Sequence, residues 1–395
     1  MTGNPLALYV HWPFCVSKCP YCDFNSHVRD SIDQEAWRDA LLADLAHEAA
    51  LLPGRTLASI FFGGGTPSLM EPATVAAIIS AATSHWDAAP DIEITVEANP
   101  NSVEAERFAG LAGAGVNRLS LGLQSFDDAA LRFLGRAHSS REGFRALEIA
   151  QKNFRRVSFD LIYALPGDSE ESWSAMLAQA LSLGTSHLSL YQLTIEPGTR
   201  FAAMAARGEL HPLDTDRAAE LYELTDAMTA AAGMPSYEIS NHARPRQQSR
   251  HNLTYWRYGD YAGIGPGAHG RRLGMRTLRH RKPENFLSAL ARNGHGIAEE
   301  APLSRIEAAD EALVMGLRLR EGVDAAAIAE RFAVADVVDW RRVDRLVRTG
   351  HLERSGTRIL LTAKGRLLLD HILGEIVAAE PAAASPDAIP LAVAG

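Results

Sequence analysis

Three cysteines, Cys15, Cys19 and Cys22, are the only ones in a chain of 395 residues, and they stand in C-x3-C-x2-C spacing, CVSKCPYC. Three sulfurs within one eight-residue stretch cannot staple a fold of this size, so a disulfide framework is excluded. Thiolates are soft ligands suited to zinc or to iron–sulfur clusters. Three readings of the cluster stand open on the residues. It is a buried coincidence; or it is a closed zinc site, which needs a histidine as fourth ligand, His11 or His27. The third is a cubane 4Fe–4S cluster, which normally takes four cysteines; three leave one iron open. An open iron can bind a small molecule that brings its own amino and carboxylate ligands.

The elements that must position this loop are legible from residue 6 to about 235, where short apolar runs alternate with segments of helical period. Strands are expected at Leu6–His11, Ser59–Phe62, Ile92–Glu97, Arg118–Leu123, Val157–Ile162 and His187–Leu193. Helices are expected at Asp33–Leu51, Ala73–Thr83, Val103–Ala112, Glu142–Asn153, Glu171–Leu183 and Asp216–Ala232. Six strand–helix units imply parallel strands with right-handed crossovers, an α/β partial (β/α)6 TIM-like barrel in place of the full eight. Chemistry in such sheets gathers beyond the C-terminal strand ends. The cysteines follow strand one, GGGTP strand two, VEANP strand three and LQS strand four. Gly63, Gly64 and Gly65 let the backbone approach a ligand closely with N–H groups free to donate. Glu97 and Gln124, at successive strand ends, can bond hydroxyls and a cationic amine; Arg136 lies twelve residues after Gln124, and Asp160 lies in strand five.

The net charge of −9 argues against non-specific nucleic-acid binding. It is unevenly spread: residues 244–282 hold ten Lys or Arg and one acid, Asp260, leaving the rest at −18. From about residue 305 helical periods at Ile306–Leu319, Ala325–Phe332 and Val338–Arg348 precede a hairpin, HLERSGTRILLT, and a helix Ala363–Ile376. That pattern is a winged-helix-like α+β module, too evenly charged to read DNA. The expected divisions are a barrel over 1–235, a basic connecting segment over 236–303, the C-terminal module over 304–376 and a disordered Ala/Pro-rich tail over 377–395. No run of about 20 apolar residues occurs. The N-terminus shows no secretory signal, so a reduced, cytoplasmic protein is expected.

The cysteine spacing with an aromatic, Tyr21, before the last Cys resembles the radical S-adenosylmethionine (SAM) superfamily. The resemblance implies a partial parallel barrel and a 4Fe–4S cluster on Cys15, Cys19 and Cys22, its open iron chelated by S-adenosylmethionine. Reductive cleavage of that cofactor yields a 5′-deoxyadenosyl radical. YVHWPFC, FFGGGTPS, VEANP, SLGLQSFD, LGRAH and FDLIYALPG narrow it to the branch of oxygen-independent coproporphyrinogen III oxidases and related haem chaperones. By resemblance Tyr9, Tyr21, Gly64, Gly65, Thr66, Glu97, Gln124, Arg136 and Asp160 bind S-adenosylmethionine; one or two molecules are compatible with the branch.

Within that branch three departures point away from decarboxylation. Decarboxylases carry a further Cys two residues after the third; here it is Phe24. They have a longer segment before the motif's Tyr, where here eight residues precede Tyr9. Residues 251–256 read HNLTYW, which resembles the HNxxYW motif of the chaperones. Its His251, Asn252, Tyr255 and Trp256 are therefore the haem-binding candidates, with Tyr258 and His269 further off. An imidazole can ligate haem iron, flat aromatics can cover the macrocycle, and the neighbouring arginines match two propionates. The same residues equally suit packing between barrel and tail. With no C-x2-C-H, covalent haem attachment is excluded. The resemblance implies a haem chaperone serving apo-haemoproteins, respiratory-chain subunits at the membrane surface among them, with a homodimer as one arrangement; the alternative is the coproporphyrinogen III decarboxylase, and a zinc-stabilised interaction protein is the third.

Overall fold

The structure, a computed structural model, describes residues 5–377. The expected tail, apart from Val377, lies outside the described residues. The backbone divides into two compact units, one of residues 1–235, 241–255 and 259–302, the other of 236–240, 256–258 and the chain from Leu303.

The first unit is built on one eleven-stranded sheet. Its central strands are β1 (Pro5–Trp12), β2 (Thr56–Gly64), β3 (Asp87–Ala98), β4 (Arg118–Gln124), β5 (Arg156–Tyr163) and β6 (His187–Gln192), all parallel in that order. A short antiparallel strand β7 (Asn241–Ala243) closes the far edge. On the other side of β1 runs β8 (Asp260–Ile264), parallel to it, then β9 (His269–Arg272), β10 (Met275–Arg279) and β11 (Ile297–Pro302), antiparallel. The six expected strands are present with ends shifted by a few residues. Residues 260–302 extend the same sheet.

Alternation along each strand divides its side chains between two faces. Leu6, Leu8, Val10 and Trp12 of β1, with Ile60, Phe62, Ile94, Val96, Leu119, Leu121, Phe159 and Leu188, join the core beneath the helices. The opposite, inner face is polar. Register sets Ser59 beside Glu93, Tyr9 beside Phe61, Glu97 beside Ser120, and Asp160 beside Ser189. An inner lining of titratable groups is what a barrel that holds a polar ligand needs, because buried polar atoms must find partners.

The crossover helices begin where side chains satisfy their free N–H groups. Asp33 caps Gln34–Leu51, and Ser139 with Glu142 forms a capping box for Ser140–Asn153. The helix expected over Val103–Ala112 is instead two short ones, Ser102–Ala105 and Phe108–Gly113. The buried Glu104 carboxylate bonds Ser68 and the Asn99 N–H, pinning the first turn against the end of β3.

In the second unit, helices Arg305–Gly316, Ala325–Phe332 and Trp340–Arg348 precede a hairpin of Leu352–Ser355 and Arg358–Leu361. A two-residue strand, Val323–Asp324, joins the hairpin and completes a three-stranded wing. Leu313, Leu317, Val343, Ile359 and Ile376 lie in its core. The closing helix breaks at Leu367 and Leu368 into Ala363–Arg366 and Leu369–Ile376; both leucines are exposed, so no core contact holds a continuous turn there.

Candidate metal and cofactor centre

Cys15, Cys19 and Cys22 are free thiols, each half-buried, on the loop that leaves β1. A two-residue parallel ladder, Phe14–Cys15 against His27–Val28, folds that loop back on itself. Burial pushes the Cys15 thiol up from its ordinary value and the Cys22 thiol up to about 11. Among the described residues no group of three His, Cys, Asp or Glu converges on a single ion. His11, one of the two candidates for a fourth zinc ligand, has both ring nitrogens engaged, with the Tyr9 hydroxyl at 3.0 Å and the Asn25 carbonyl at 2.9 Å. A cluster takes one thiolate per iron, so its sulfurs stand farther apart than those around one zinc.

Side-chain hydrogen bonds reach two of the three sulfurs, and the Phe24 backbone N–H reaches Cys22. The Thr66 hydroxyl donates to Cys15 Sγ at 3.4 Å, and Arg136 Nη1 to Cys19 Sγ at 3.6 Å. Arg136 also donates through Nη2 to Asn99 Oδ1 at 2.5 Å and to the Gly122 carbonyl at 2.9 Å. Its Nε is buried without a partner, as is Gln124 Oε1. Gln124 sits at φ 65°, a strained conformation for a residue with a side chain, and Gly122 beside it leaves room for the amide. An orphaned guanidinium donor next to three thiols fits a ligand that carries a carboxylate, and the orphaned amide oxygen fits a hydroxyl or amine.

Glu97 and Asp160 lie on the inner face, and burial pushes the first up to about 8 and the second up to about 6. The Asp160 charge adds to the Glu97 rise, while Ser189 and Ser120 hydroxyls oppose the rise at Asp160. A cationic group entering between them would restore both charges. Tyr9 lies on the same face, its hydroxyl made less acidic by burial and by Glu97. Tyr21 packs toward Phe201, ring centroids 6.4 Å apart.

The glycine run departs from expectation. Its N–H groups are used: Gly64 donates to Glu97 Oε2 at 3.2 Å, Gly65 to the Trp12 carbonyl at 2.7 Å and Thr66 to the Phe14 carbonyl at 2.8 Å. What glycine supplies is proximity. Gly64 has φ 111°, and a Cβ there would stand 2.6 Å from the His11 ring; one on Gly65 would stand 2.7 Å from the Phe14 carbonyl. The open donor beside the cysteine loop is instead Arg136 Nε.

The HNLTYW residues do not form one exposed patch. His251, at the start of helix Arg250–Trp256, turns into the barrel and is 6 % exposed. Its ring stacks on Phe61 with centroids 4.9 Å apart and lies 6.1 Å from Tyr9, with Nδ1 3.4 Å from Ser59 Oγ. Burial lowers its pKa to about 4. Glu93, fully buried in the middle of β3, accepts from the N–H groups of Arg250 at 2.8 Å and His251 at 3.4 Å, and pairs with Arg118 and Arg156. Tyr255 meets His251 edge-on, Asn252 accepts from the Ser249 hydroxyl, and Trp256 belongs to the second unit, where Arg318 lies over its ring.

The basic segment is divided between the interior and the surface. Arg272 and Arg279 are buried in a network with Glu48 and Asp44 of the first crossover helix. Arg250 pairs with Asp91 and Arg257 with Glu321. Burying a guanidinium demands a partner, so Arg272 and Arg279 are neutralised inside the fold, whereas Arg244, Arg246, Arg257, Arg276, Arg281 and Lys282 are exposed. The Phe24 that replaces a fourth nearby cysteine is exposed.

Asn99, Ser120 and Ser189 carry part of the site and were not singled out as ligands. Asn99 lies within the VEANP run, and its spacing of two from Glu97 on the strand end was the signal available.

An open parallel barrel with three thiols after its first strand, a glycine run after the second and a buried acid at the end of the third defines a class: proteins that hold an iron–sulfur cluster open to a chelating cofactor. Comparison with known proteins agrees. The chain matches the Radical SAM superfamily over residues 9–180 and the HemN C-terminal domain over residues 303–368. The haem chaperone HemW of Escherichia coli is 37 % identical over 377 residues, covering 93 % of this chain and 97 % of that one. The mitochondrial radical S-adenosyl methionine domain-containing protein 1 of Bos taurus is 42 % identical over 326 residues, covering 80 % of this chain and 74 % of that one. In fold, the coproporphyrinogen III oxidase HemN of Escherichia coli superposes with a TM-score of 0.79 at 23 % identity, covering 94 % of this chain and 90 % of that one. The chain belongs to the radical SAM superfamily, in its HemN-like branch, where it is similar to HemW. Among the described residues no helix is long and apolar enough to cross a membrane.

Proposed function

We propose that this protein is a haem chaperone: it binds haem and passes it to apo-haemoproteins, respiratory-chain subunits at the membrane surface among them, from the cytoplasm and as a homodimer. The observation that carries the reading is similarity to HemW along nearly the whole of both chains. In this reading Cys15, Cys19 and Cys22 hold a 4Fe–4S cluster. Arg136 takes the carboxylate of S-adenosylmethionine, Glu97, Asp160 and Gln124 take its amine and hydroxyls, and Tyr9, Tyr21, Gly64, Gly65 and Thr66 complete the lining. Bound there, the cluster would supply one electron at a time to the sulfonium cofactor.

His251, with Asn252, Tyr255 and Trp256, is the haem ligand set of this reading. Because the His251 ring is stacked inside the barrel, the reading requires helix Arg250–Trp256 to withdraw before iron reaches Nε2. The test uses anaerobically reconstituted protein, given haem in one arm and coproporphyrinogen III with S-adenosylmethionine and a reductant in the other. A haem spectrum that His251→Ala alters, with no vinyl product, is expected. Product formed at catalytic turnover would replace the chaperone reading with that of a decarboxylase. Replacing any of Cys15, Cys19 or Cys22 by Ala should remove the iron–sulfur absorbance, and retained iron with stoichiometric sulfide would refute the ligand assignment.

A further inference from the structure

The Thr66 and Arg136 hydrogen bonds to the cysteine sulfurs are joined through one residue. Asn99 Nδ2 donates to Thr66 Oγ1 at 3.0 Å, and Asn99 Oδ1 accepts from Arg136 Nη2 at 2.5 Å. The chain of contacts thus runs Cys15, Thr66, Asn99, Arg136, Cys19.

Its direction follows from donor and acceptor inventory. A guanidinium has no acceptor, so the Asn99 oxygen must face Arg136. The amide nitrogen then faces Thr66 and occupies a lone pair of its hydroxyl. The single Thr66 proton is left to point at Cys15 Sγ. Asn99 is itself held on both sides: its N–H donates to Glu104 Oε2 at 2.8 Å, and Pro100 after it favours the extended backbone. The amide therefore arrives with its orientation set by the end of β3.

We propose that Asn99 is a positioning residue that sets both the electronic environment of the cysteine loop and the presentation of Arg136 to the carboxylate of the chelating cofactor. Through Thr66 it fixes a donor on Cys15. Through Arg136 it fixes a donor on Cys19 and, by immobilising Nη2, leaves Nε as the donor with no partner in the protein. Hydrogen bonds to cluster sulfurs favour the more negative, reduced state and so raise the potential. The inference rests on the cluster and S-adenosylmethionine assignment above and is independent of the haem assignment.

The experiment compares wild type, Asn99→Ala and Asn99→Asp after anaerobic reconstitution, with iron and sulfide counted, the cluster titrated by EPR, and S-adenosylmethionine binding measured by equilibrium dialysis. Asn99→Ala is expected to take up iron, since all three cysteines remain. At the wild-type midpoint its ratio of reduced to oxidised cluster should fall about three- to tenfold, and its affinity for S-adenosylmethionine about tenfold or more. Asn99→Asp keeps an acceptor for Arg136 but draws the Thr66 proton away from Cys15. It should lower the potential at least as far while holding S-adenosylmethionine within about threefold of wild type. Both variants matching wild type in potential and affinity would overturn the proposal. So would Asn99→Asp losing the cofactor as severely as Asn99→Ala, and this arm decides the matter if the alanine variant does not fold. A wild-type chain that takes up no cluster overturns the cofactor assignment and the inference together.

Discussion

Replacing Glu93 by Gln probes whether the barrel interior holds His251 out of reach. Glu93 has no exposed side-chain surface; Arg118 and Arg156 lie 3.2 and 2.6 Å away, and the other carboxylate oxygen takes the Arg250 N–H at 2.8 Å. Burial works against its charge, yet the two guanidiniums and the two backbone N–H groups hold it below the usual carboxylate range. Glutamine is nearly isosteric, so it leaves no cavity, but it removes the charge and turns an NH2 toward either the guanidiniums or the helix. Breaking a buried pair by removing one partner costs about 3–5 kcal/mol. If about 3 kcal/mol of that is lost from the closed position of helix Arg250–Trp256, the open fraction rises about 100-fold, and apparent haem affinity rises with it until opening saturates. Hydrogen exchange at residues 250–252 reads the opening, stopped-flow haem absorbance reads the binding, and urea unfolding reads the global cost. Faster exchange and faster haem uptake are expected, the uptake alone being abolished by adding His251→Ala. Refutation is a Glu93→Gln chain that loses stability globally while exchange at 250–252 and haem uptake stay at wild-type rates.

Three further outcomes follow from the same geometry. His251 and His11, both lowered by burial to about 4 from 6.5, stay neutral in the folded chain while the unfolded chain protonates. Stability must therefore fall as pH drops from about 6.5 to 4, by up to about 3 kcal/mol for each; His251→Phe should remove about one proton from the uptake measured on unfolding at pH 5. Glu97 has the opposite sign: raised by burial to about 8, it keeps a proton in the folded state that the unfolded chain has lost, so its contribution falls as pH climbs from about 4.5 to 8. Glu97→Gln should match wild type in thermal midpoint at pH 4.5, exceed it at pH 8.5, and bind S-adenosylmethionine more weakly at both; an unchanged midpoint difference across that range would contradict the assignment. Gly64→Ala must adopt φ 111° with its Cβ 2.6 Å from the His11 ring, costing about 1–3 kcal/mol and reshaping the cradle, so dialysis should show S-adenosylmethionine affinity lost along with a lowered midpoint.

How much of this was legible in the sequence depended on how far apart the partners lie. The six parallel strands could be read because apolar side chains recur at every second residue, as in Leu6, Leu8 and Val10, and helical period separates the runs. The cysteine loop could be read because its chemistry is local. Cys15, Cys19 and Cys22 fall on one loop, and Thr66, Glu97 and Gln124 fall at strand ends where a parallel sheet must collect them. The use of the glycine N–H groups could not be read, since their acceptors, Trp12, Phe14 and Glu97, belong to neighbouring strands. Nor could the strands β9 and β10: HGRR and MRTLR look like a solvated basic loop until the acids that neutralise them are known.

That last case bears on the haem assignment itself. A run of ten bases beside HNLTYW suggests a surface built for propionates only if the guanidiniums reach solvent. Arg279 reaches Asp44 and Glu48, more than 230 residues earlier in the chain, and Arg272 reaches Glu48, so these two members of the run fasten β9 and β10 to the first crossover helix. His251 is likewise defined by Phe61, Ser59 and Glu93, all more than 150 residues upstream. The closed arrangement thus withholds the imidazole and the buried arginines from a haem, and leaves Arg244, Arg246, Arg276, Arg281 and Lys282 at the surface. A chaperone must release its cargo as well as bind it, and a ligand that is reached only by opening gives a bound state whose lifetime the protein can set. On the proposed haem-chaperone reading, the strength of the Glu93 anchor would fix how often the site opens, which would make the polar interior of the barrel part of the haem site's control.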